Sequence, residues 1–177
     1  YAAFSKVAFA YIGMDEEMGR REITDRLDPH GGRVLEVSIG PGVNLPYLVH
    51  RSDVGEVFGL DISLGQLKRC QKYVTKQGWD VELFLGNGEQ LPFCDETFDG
   101  VFHVGGINFF NNKKAAIDEI IRVAKPGAKI LIADETEKGV GNTPRKVVKP
   151  PRPADLGDQP EKVRLVLKIS EIEMSTR

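Results

Sequence analysis

The sequence predicts an α/β domain: a doubly wound, mostly parallel sheet with helices on both faces. Three observations point there. Short apolar runs that suit buried strands alternate with amphipathic helical stretches between Arg33 and Ala133. Breaks rich in Gly and Pro separate them. The connections are of crossover length, as parallel strands with right-handed crossovers require.

Taken in order, Phe4, Val7, Ala8 and Tyr11 recur at helical spacing, and a second helical piece from Asp15 to Leu27 carries Met18, Ile23 and Leu27. Asp28-Pro29-His30-Gly31-Gly32 ends it. Arg33 to Ser38 reads as a buried strand, Ile39-Gly40-Pro41-Gly42 as a tight turn, and Val43 to Arg51 as a short helix. The second strand runs from Glu56 to Asp61. Ser63 caps the next helix, and Gln66 three residues on completes a capping box. That helix sets Leu64, Leu67 and Val74 on one side and ends near Gly78. Val81 to Leu85 is a third strand and Phe98 to Val104 a fourth. Ile117, Ile120, Ile121 and Ala124 mark a helix that Lys125-Pro126-Gly127 stops, and Lys129 to Ala133 is a fifth strand.

The texture changes after Glu137. Lys138 to Arg152 holds five basic residues and no acidic one, and five of the ten prolines lie between Pro144 and Pro160. A continuous helix is excluded there; a surface loop is expected, with a basic arm that contacts an acidic substrate or nucleic acid as the alternative. Val163, Leu165, Leu167 and Ile169 alternate, as in a half-exposed strand at a sheet edge. The expected organisation is one domain over 1–177: N-terminal helices over 1–30, a ligand-binding core over 33–135, a Pro-rich basic loop over 138–160 and a C-terminal strand over 161–177.

Lys and Arg number 24 and Asp and Glu 26, a formal charge of −2, which argues against a protein that holds nucleic acid or a membrane by bulk charge. The early uncharged run, Val7 to Met14, is too short to span a bilayer or to form an ordinary signal segment. Cys70 and Cys94 form neither a metal-ligand pattern nor a disulfide framework. The expectation is a soluble, cytoplasmic protein without a metal, whose initiator Met has been lost or trimmed before Tyr1.

The chemistry concentrates at Val34-Leu35-Glu36-Val37-Ser38-Ile39-Gly40-Pro41-Gly42. A carboxylate ends a buried strand, and a Gly-rich turn follows. Gly40 and Gly42 lack a Cβ and so permit a ligand to approach the backbone. In open α/β sheets, ligands bind at the carboxyl ends of the strands where strand order reverses. Asp61, 21 residues after Gly40 and at the end of the next strand, is placed to accept both hydroxyls of a ribose. Two cofactor classes use this arrangement. A dinucleotide needs a third Gly, where this chain has Leu45, and Glu36 would repel its pyrophosphate. S-adenosylmethionine carries an ammonium and a sulfonium, and its charge suits Glu36.

Four blocks in order complete the pattern: Val34 to Gly42, Gly59 to Ser63, Gly86 to Phe93 with Phe98-Asp99, and Arg122 to Lys129. Through them the chain resembles the class I S-adenosylmethionine-dependent methyltransferases, in particular the type 11 group and the ubiquinone/menaquinone C-methyltransferase-like proteins. The resemblance spans roughly Arg33 to Ala133. It implies a Rossmann-like fold and methyl transfer from S-adenosyl-L-methionine to a small-molecule acceptor by in-line displacement. It implies that Glu36 accepts from the methionyl ammonium and that Gly40 and Gly42 form a floor beneath the cofactor. Asp61 would hold the ribose, Ile62 would pack on the adenine, and Asn87 and Gly88 would border its edge, with Asn87 where the family usually has Asp. His103 would line the pocket and is the leading candidate for a general base. Phe109 and Phe110 fall where an acceptor would sit, either to stack on it or to bury an adjacent helix, and Tyr11 is expected in the core along the Phe4-Val7-Tyr11 stripe, with closure over the methionyl end as the alternative.

Ser38 departs from the family pattern, standing where a Gly is usual; its side chain would crowd the cofactor or bond to it. The Pro-rich stretch replaces the usual last helix, so the C-terminal hairpin is expected to be incomplete. Two rivals remain at this stage. One is an NAD-dependent oxidoreductase, and the other is a binding module that holds the cofactor and transfers nothing.

Overall fold

The computed structural model describes residues 15–134 and 165–168. Within them lie helix α1 (Glu16–Asp25), strand β1 (Gly32–Val37), a 3-10 turn (Leu45–Tyr47), β2 (Val54–Asp61) and α2 (Leu64–Gln77). There follow β3 (Glu82–Leu85), β4 (Phe98–Val104), a second 3-10 turn (Ile107–Phe109), α3 (Lys113–Val123), β5 (Ala124–Asp134) and β6 (Leu165–Lys168). The first predicted helix with Tyr11, the basic Pro-rich stretch, and Val163 and Ile169 lie outside the described residues. No helix among the described residues is long and apolar enough to cross a membrane.

The strands form one sheet in the order β3-β2-β1-β4-β5-β6, and every pairing is parallel. β1 and β4 are neighbours at the centre, so the connections leaving their carboxyl ends diverge and open a crevice between them. Alternation along the strands divides the core in two. Leu35, Val37, Phe58 and Val101 pack with Ile120 and Ile121 of α3 on one face. Val34, Val57, Phe102 and Leu131 pack with Leu67, Cys70 and Val74 of α2 on the other.

Local chemistry sets the element ends. The Asp15 side chain accepts from Glu17 N to cap α1, Ser63 caps α2, Gly78 closes α2 in the left-handed region, and Asn112 caps α3. Asp99 ties the strand starts together: it accepts from Arg33 N at 2.9 Å and from Lys125 Nζ at 2.8 Å. β5 consequently starts at Ala124, earlier than the predicted Lys129, with a register shift at Phe98/Gly100 and Gly127 at φ 81°.

Four expectations need correction. Val43 to Arg51 is not a helix; only Leu45–Tyr47 makes a 3-10 turn. Pro46 lacks the N–H that a continuing helix needs, and Asn44 gives no cap because its amide is engaged elsewhere. Met18 is exposed, while Arg20 and Thr24 take buried places on α1. Leu64 is exposed as well, because the first residue of a helix has no preceding turn for its side chain to cover. The capping box is half formed: Ser63 Oγ accepts from Gln66 N, but Ser63 N donates to Asp61 Oδ1 at 2.8 Å rather than to Gln66.

Candidate cofactor site

A cavity of about 300 Å³ opens at the carboxyl edge of the sheet. Its floor is the turn after β1, where Ser38 and Gly40 face it. Asp61, Ile62, Ser63 and Gln66 form one side, at the end of β2 and the first turn of α2. Asn87, Gly88 and Glu89 after β3 form a second, and Gly105, Gly106, Phe109 and Phe110 after β4 a third. Six of the nine cofactor candidates therefore share one wall system, Ser38, Gly40, Asp61, Ile62, Asn87 and Gly88, together with the acceptor candidates Phe109 and Phe110.

Each is placed by a specific local device. Asp61 is buried, and its two oxygens accept from Gly40 N and Ser63 N, both at 2.8 Å. These bonds aim the carboxylate and keep it beside the glycine turn. Gly40 adopts φ 56°, and a Cβ there would meet nothing within 4 Å, so its bare face looks into open space. Ser38 adopts the same left-handed conformation at φ 63°, an uncommon state for a residue with a Cβ. Ile62 is 72% exposed, an apolar side chain beside the cavity without a core role. Asn87 Oδ1 accepts from Glu89 N at 3.0 Å, and Glu89 Oε1 accepts from Asn111 N at 2.7 Å. A Cβ on Gly88 would strike Phe110 at 2.8 Å, so the aromatic wall needs glycine there.

The 86–93 segment is pinned from below. Glu119 accepts from Leu91 N at 2.7 Å, and Arg122 donates to the carbonyls of Leu91 and Phe93 and to Asp95. The block at Arg122 thus acts by holding the loop that carries Asn87.

Glu36, Gly42 and His103 do not line the cavity. Gly42 faces the core: a Cβ there would meet Cys70 Sγ and Leu45 Cδ1, each at 2.8 Å. The close approach it permits is protein to protein. His103 is buried, with Nδ1 2.9 Å from Val37 O and Phe110 tilted against its ring at 5.5 Å. A carbonyl only accepts, so Nδ1 carries the proton and Nε2 is an acceptor, buried without a partner among the described residues. Burial lowers the pKa of His103, the Val37 bond opposes that, and the ring is neutral at pH 7.

Glu36 is buried on the opposite face of the sheet from His103. Its Oε1 accepts from Asn44 Nδ2 at 2.6 Å, and its Oε2 has no partner among the described residues. Burial pushes its carboxyl up to about 8, against the Asn44 bond and the charge of Arg20, with Asp61 adding to the rise. Sequence reasoning placed Glu36 but missed the partners that hold it, Asn44 and Arg20. It also assigned Gln66 to capping, whereas Gln66 lines the cavity and its Oε1 is buried without a partner among the described residues. Its position in the first turn after Asp61 was the available signal. His30 and His50 are exposed, away from the cavity. No group of three or more metal-ligating side chains occurs among the described residues.

A family model described as a methyltransferase domain matches residues 35–132, more than half of the chain, and the chain belongs to that family. It is 31% identical over 132 residues to phosphatidylethanolamine N-methyltransferase of Cereibacter sphaeroides, across 73% of this chain and 64% of that protein. It is 38% identical over 106 residues to demethylmenaquinone methyltransferase of Renibacterium salmoninarum, across 59% of this chain and 41% of that one. The chain thus spans less than two thirds of the length of these relatives. In fold it is similar to the YcgJ protein of Bacillus subtilis, with a TM-score of 0.61 at 21% identity over 69% of this chain and 53% of that one.

Proposed function

We propose that the chain is an S-adenosylmethionine-dependent methyltransferase acting on a small-molecule acceptor. The observation that carries the reading is the aimed Asp61 carboxylate on the cavity wall, between the bare face of Gly40 and the exposed side chain of Ile62. An acid, an open glycine and an unpacked apolar side chain are what a ribose with its adenine requires of a protein.

In this reading Asp61 holds the ribose hydroxyls and Ile62 covers the adenine. Asn87 Oδ1 already accepts one hydrogen bond and retains a lone pair for the adenine amine. Ser38 and Gly40 support the remainder, and Glu36, buried off the cavity wall, is assigned no direct contact with it. The cofactor supplies an activated methyl on a sulfonium. The chain contributes alignment and exclusion of water, which suffice for a strong nucleophile. His103 is off the cavity wall, and no proton transfer is assigned to it. Phe109 is 76% exposed beside the cavity and is offered to a flat or apolar acceptor. Relatives named for phosphatidylethanolamine and demethylmenaquinone support an acceptor that is a small molecule.

A dinucleotide gains no support. No full helix follows the glycine turn to offer its N-terminus to a pyrophosphate, and Leu45 is buried. Calorimetry with S-adenosylmethionine, S-adenosylhomocysteine and NAD tests the reading, with a methyl-transfer screen over quinone precursors, small phenols and amines. Saturable binding of NAD alone would overturn it.

A further inference from the structure

The outer face of α2 is cationic throughout. Lys68, Arg69, Lys72 and Lys76 are all exposed on it, and Ile62 to Trp79 contains no acidic residue. Helical periodicity confines the four to about 100° of the circumference, opposite the buried Leu67, Cys70 and Val74. Lys68, Lys72 and Lys76 form an i, i+4 row about 12 Å long.

The other helices pair their cations internally. Along α1, Arg20 meets Glu16, Arg21 meets Glu17 and Arg26 meets Glu22. On α3, Lys114 meets Asp118 and Arg122 meets Glu119. None of the four cations of α2 has an acidic partner among the described residues. Like charges at i, i+4 lower helix stability, and cations in the first half of a helix oppose the positive end of its dipole. An anionic partner would convert both effects into attraction. The stripe is local, since the whole chain carries a formal −2.

Two aliphatic side chains stand at the end of the stripe nearest the cavity. Leu64 opens α2 and is 52% exposed, and Leu85 closes β3 and is 58% exposed. Leu85 lies opposite Asp61 in register on the outermost strand, and alternation puts it with Leu83 on the face that α2 covers. Neither leucine lines the cavity, although their neighbours Ser63 and Asp61 do.

We propose that the outer face of α2, with Leu64 and Leu85, is a docking surface for an anionic lipid bilayer. The Lys and Arg side chains meet the headgroup charge, and the two leucines enter the boundary between headgroups and acyl chains. The aliphatic pair selects a bilayer over a nucleic acid, because a phosphate backbone engages cations but offers no hydrocarbon to an exposed leucine. Ser63 and Gln66, beside the first turn of the same helix, line the cavity, so docking leaves it opening at the margin of the lipid surface. The surface stands whichever cofactor the cavity holds.

The test is flotation of the whole chain with vesicles of phosphatidylcholine alone and of equal parts phosphatidylcholine and phosphatidylglycerol. The wild type should float with the mixed vesicles and not with the neutral ones, and added salt should release it. Lys68→Gln, Lys72→Gln and Lys76→Gln together should lower partitioning about a hundredfold, about fivefold for each charge. Lys68→Arg, Lys72→Arg and Lys76→Arg together should preserve it. Leu64→Ser with Leu85→Ser should weaken binding at least about tenfold at constant salt. Every variant should bind S-adenosylhomocysteine as the wild type does, which separates loss of docking from loss of the cofactor site. A wild type that floats but binds no S-adenosylhomocysteine would remove the cofactor reading and leave the docking surface in place. No flotation, equal flotation with neutral vesicles, or flotation indifferent to the three Gln substitutions would overturn the proposal. So would binding to an RNA or DNA duplex in place of vesicles, unaffected by the two Ser substitutions, which would assign the stripe to a phosphate backbone.

Discussion

Asp61 Oδ2 accepts the backbone N–H of Gly40 at 2.8 Å, tying the end of β2 to the turn after β1 across 21 residues of chain. The other oxygen accepts from Ser63 N at the start of α2. One carboxylate therefore fixes the glycine turn and begins a helix, and in the proposed function it also binds a ribose. Its removal should be felt in folding and in binding separately.

Asp61→Ala should weaken S-adenosylhomocysteine binding by roughly 1.5–3 kcal/mol, the usual worth of hydrogen bonds to a charged group. It should also lower stability by about 1–2 kcal/mol, since two backbone donors lose their acceptor. Calorimetry and urea denaturation read the two losses independently. Unchanged ligand affinity in a folded variant would take Asp61 out of the binding site.

Gly40 and Gly42 lie two residues apart and should respond differently to one methyl group. A Cβ on Gly40 meets no atom, so Gly40→Ala should cost only about 1–2 kcal/mol of stability, the price of left-handed backbone. Ligand affinity should nevertheless fall at least about tenfold, because the methyl enters the space the ligand needs. Gly42→Ala should cost roughly 2–5 kcal/mol, adding the same backbone strain to overpacking against Cys70 and Leu45. Thermal melts with and without S-adenosylhomocysteine distinguish them: only the Gly40 variant should lose its ligand-induced stabilisation while remaining folded.

These two glycines also show how far the sequence could be read. The succession of parallel strands along the chain and the carboxylates near the ends of β1 and β2 were legible, because a buried apolar run ending in an acid leaves that acid at the carboxyl edge of the sheet. The use of Gly42 was not, since a glycine that admits a ligand and one that admits Cys70 look alike in one dimension. Arg20 was hidden for a similar reason. In a stretch reading Glu16-Glu17-Met18-Gly19-Arg20-Arg21-Glu22 it resembles a solvated residue, and the partner that holds its buried end, Asn44, lies 24 residues away. The missing helix after Gly42 had a local sign in Pro46. Gln66 matched a capping pattern, but Asp61 had already taken the backbone donor that the box required.

Ser38 holds φ 63°, a left-handed conformation that glycine adopts without strain. Ser38→Gly should raise stability by about 0.5–1 kcal/mol, the relief of left-handed strain less the extra freedom glycine has when unfolded. Ser38→Val should lower it by roughly 1–3 kcal/mol, because a β-branched side chain tolerates that conformation least. Urea denaturation at constant m-value gives both differences. Equal stability of the three chains would mean the turn relaxes away from this conformation.

Glu36 should make the free chain less stable as pH rises. Its carboxyl titrates near 4.5 when unfolded and at about 8 when folded. Below 4.5 both states are protonated, and its contribution is fully present. Between these values the unfolded chain gives up the proton while the folded chain keeps it, so stability declines with pH until the folded group ionises, then levels. The loss amounts to roughly 2–5 kcal/mol for a shift of this size. Glu36→Gln cannot ionise and keeps the Asn44 contact as an acceptor. The difference in unfolding free energy between Glu36→Gln and the wild type should therefore grow in favour of the variant from pH 5 to pH 8 and stay constant above. A flat difference across that range would show that Glu36 is ionised in the folded chain, with Arg20 compensating its charge through Asn44.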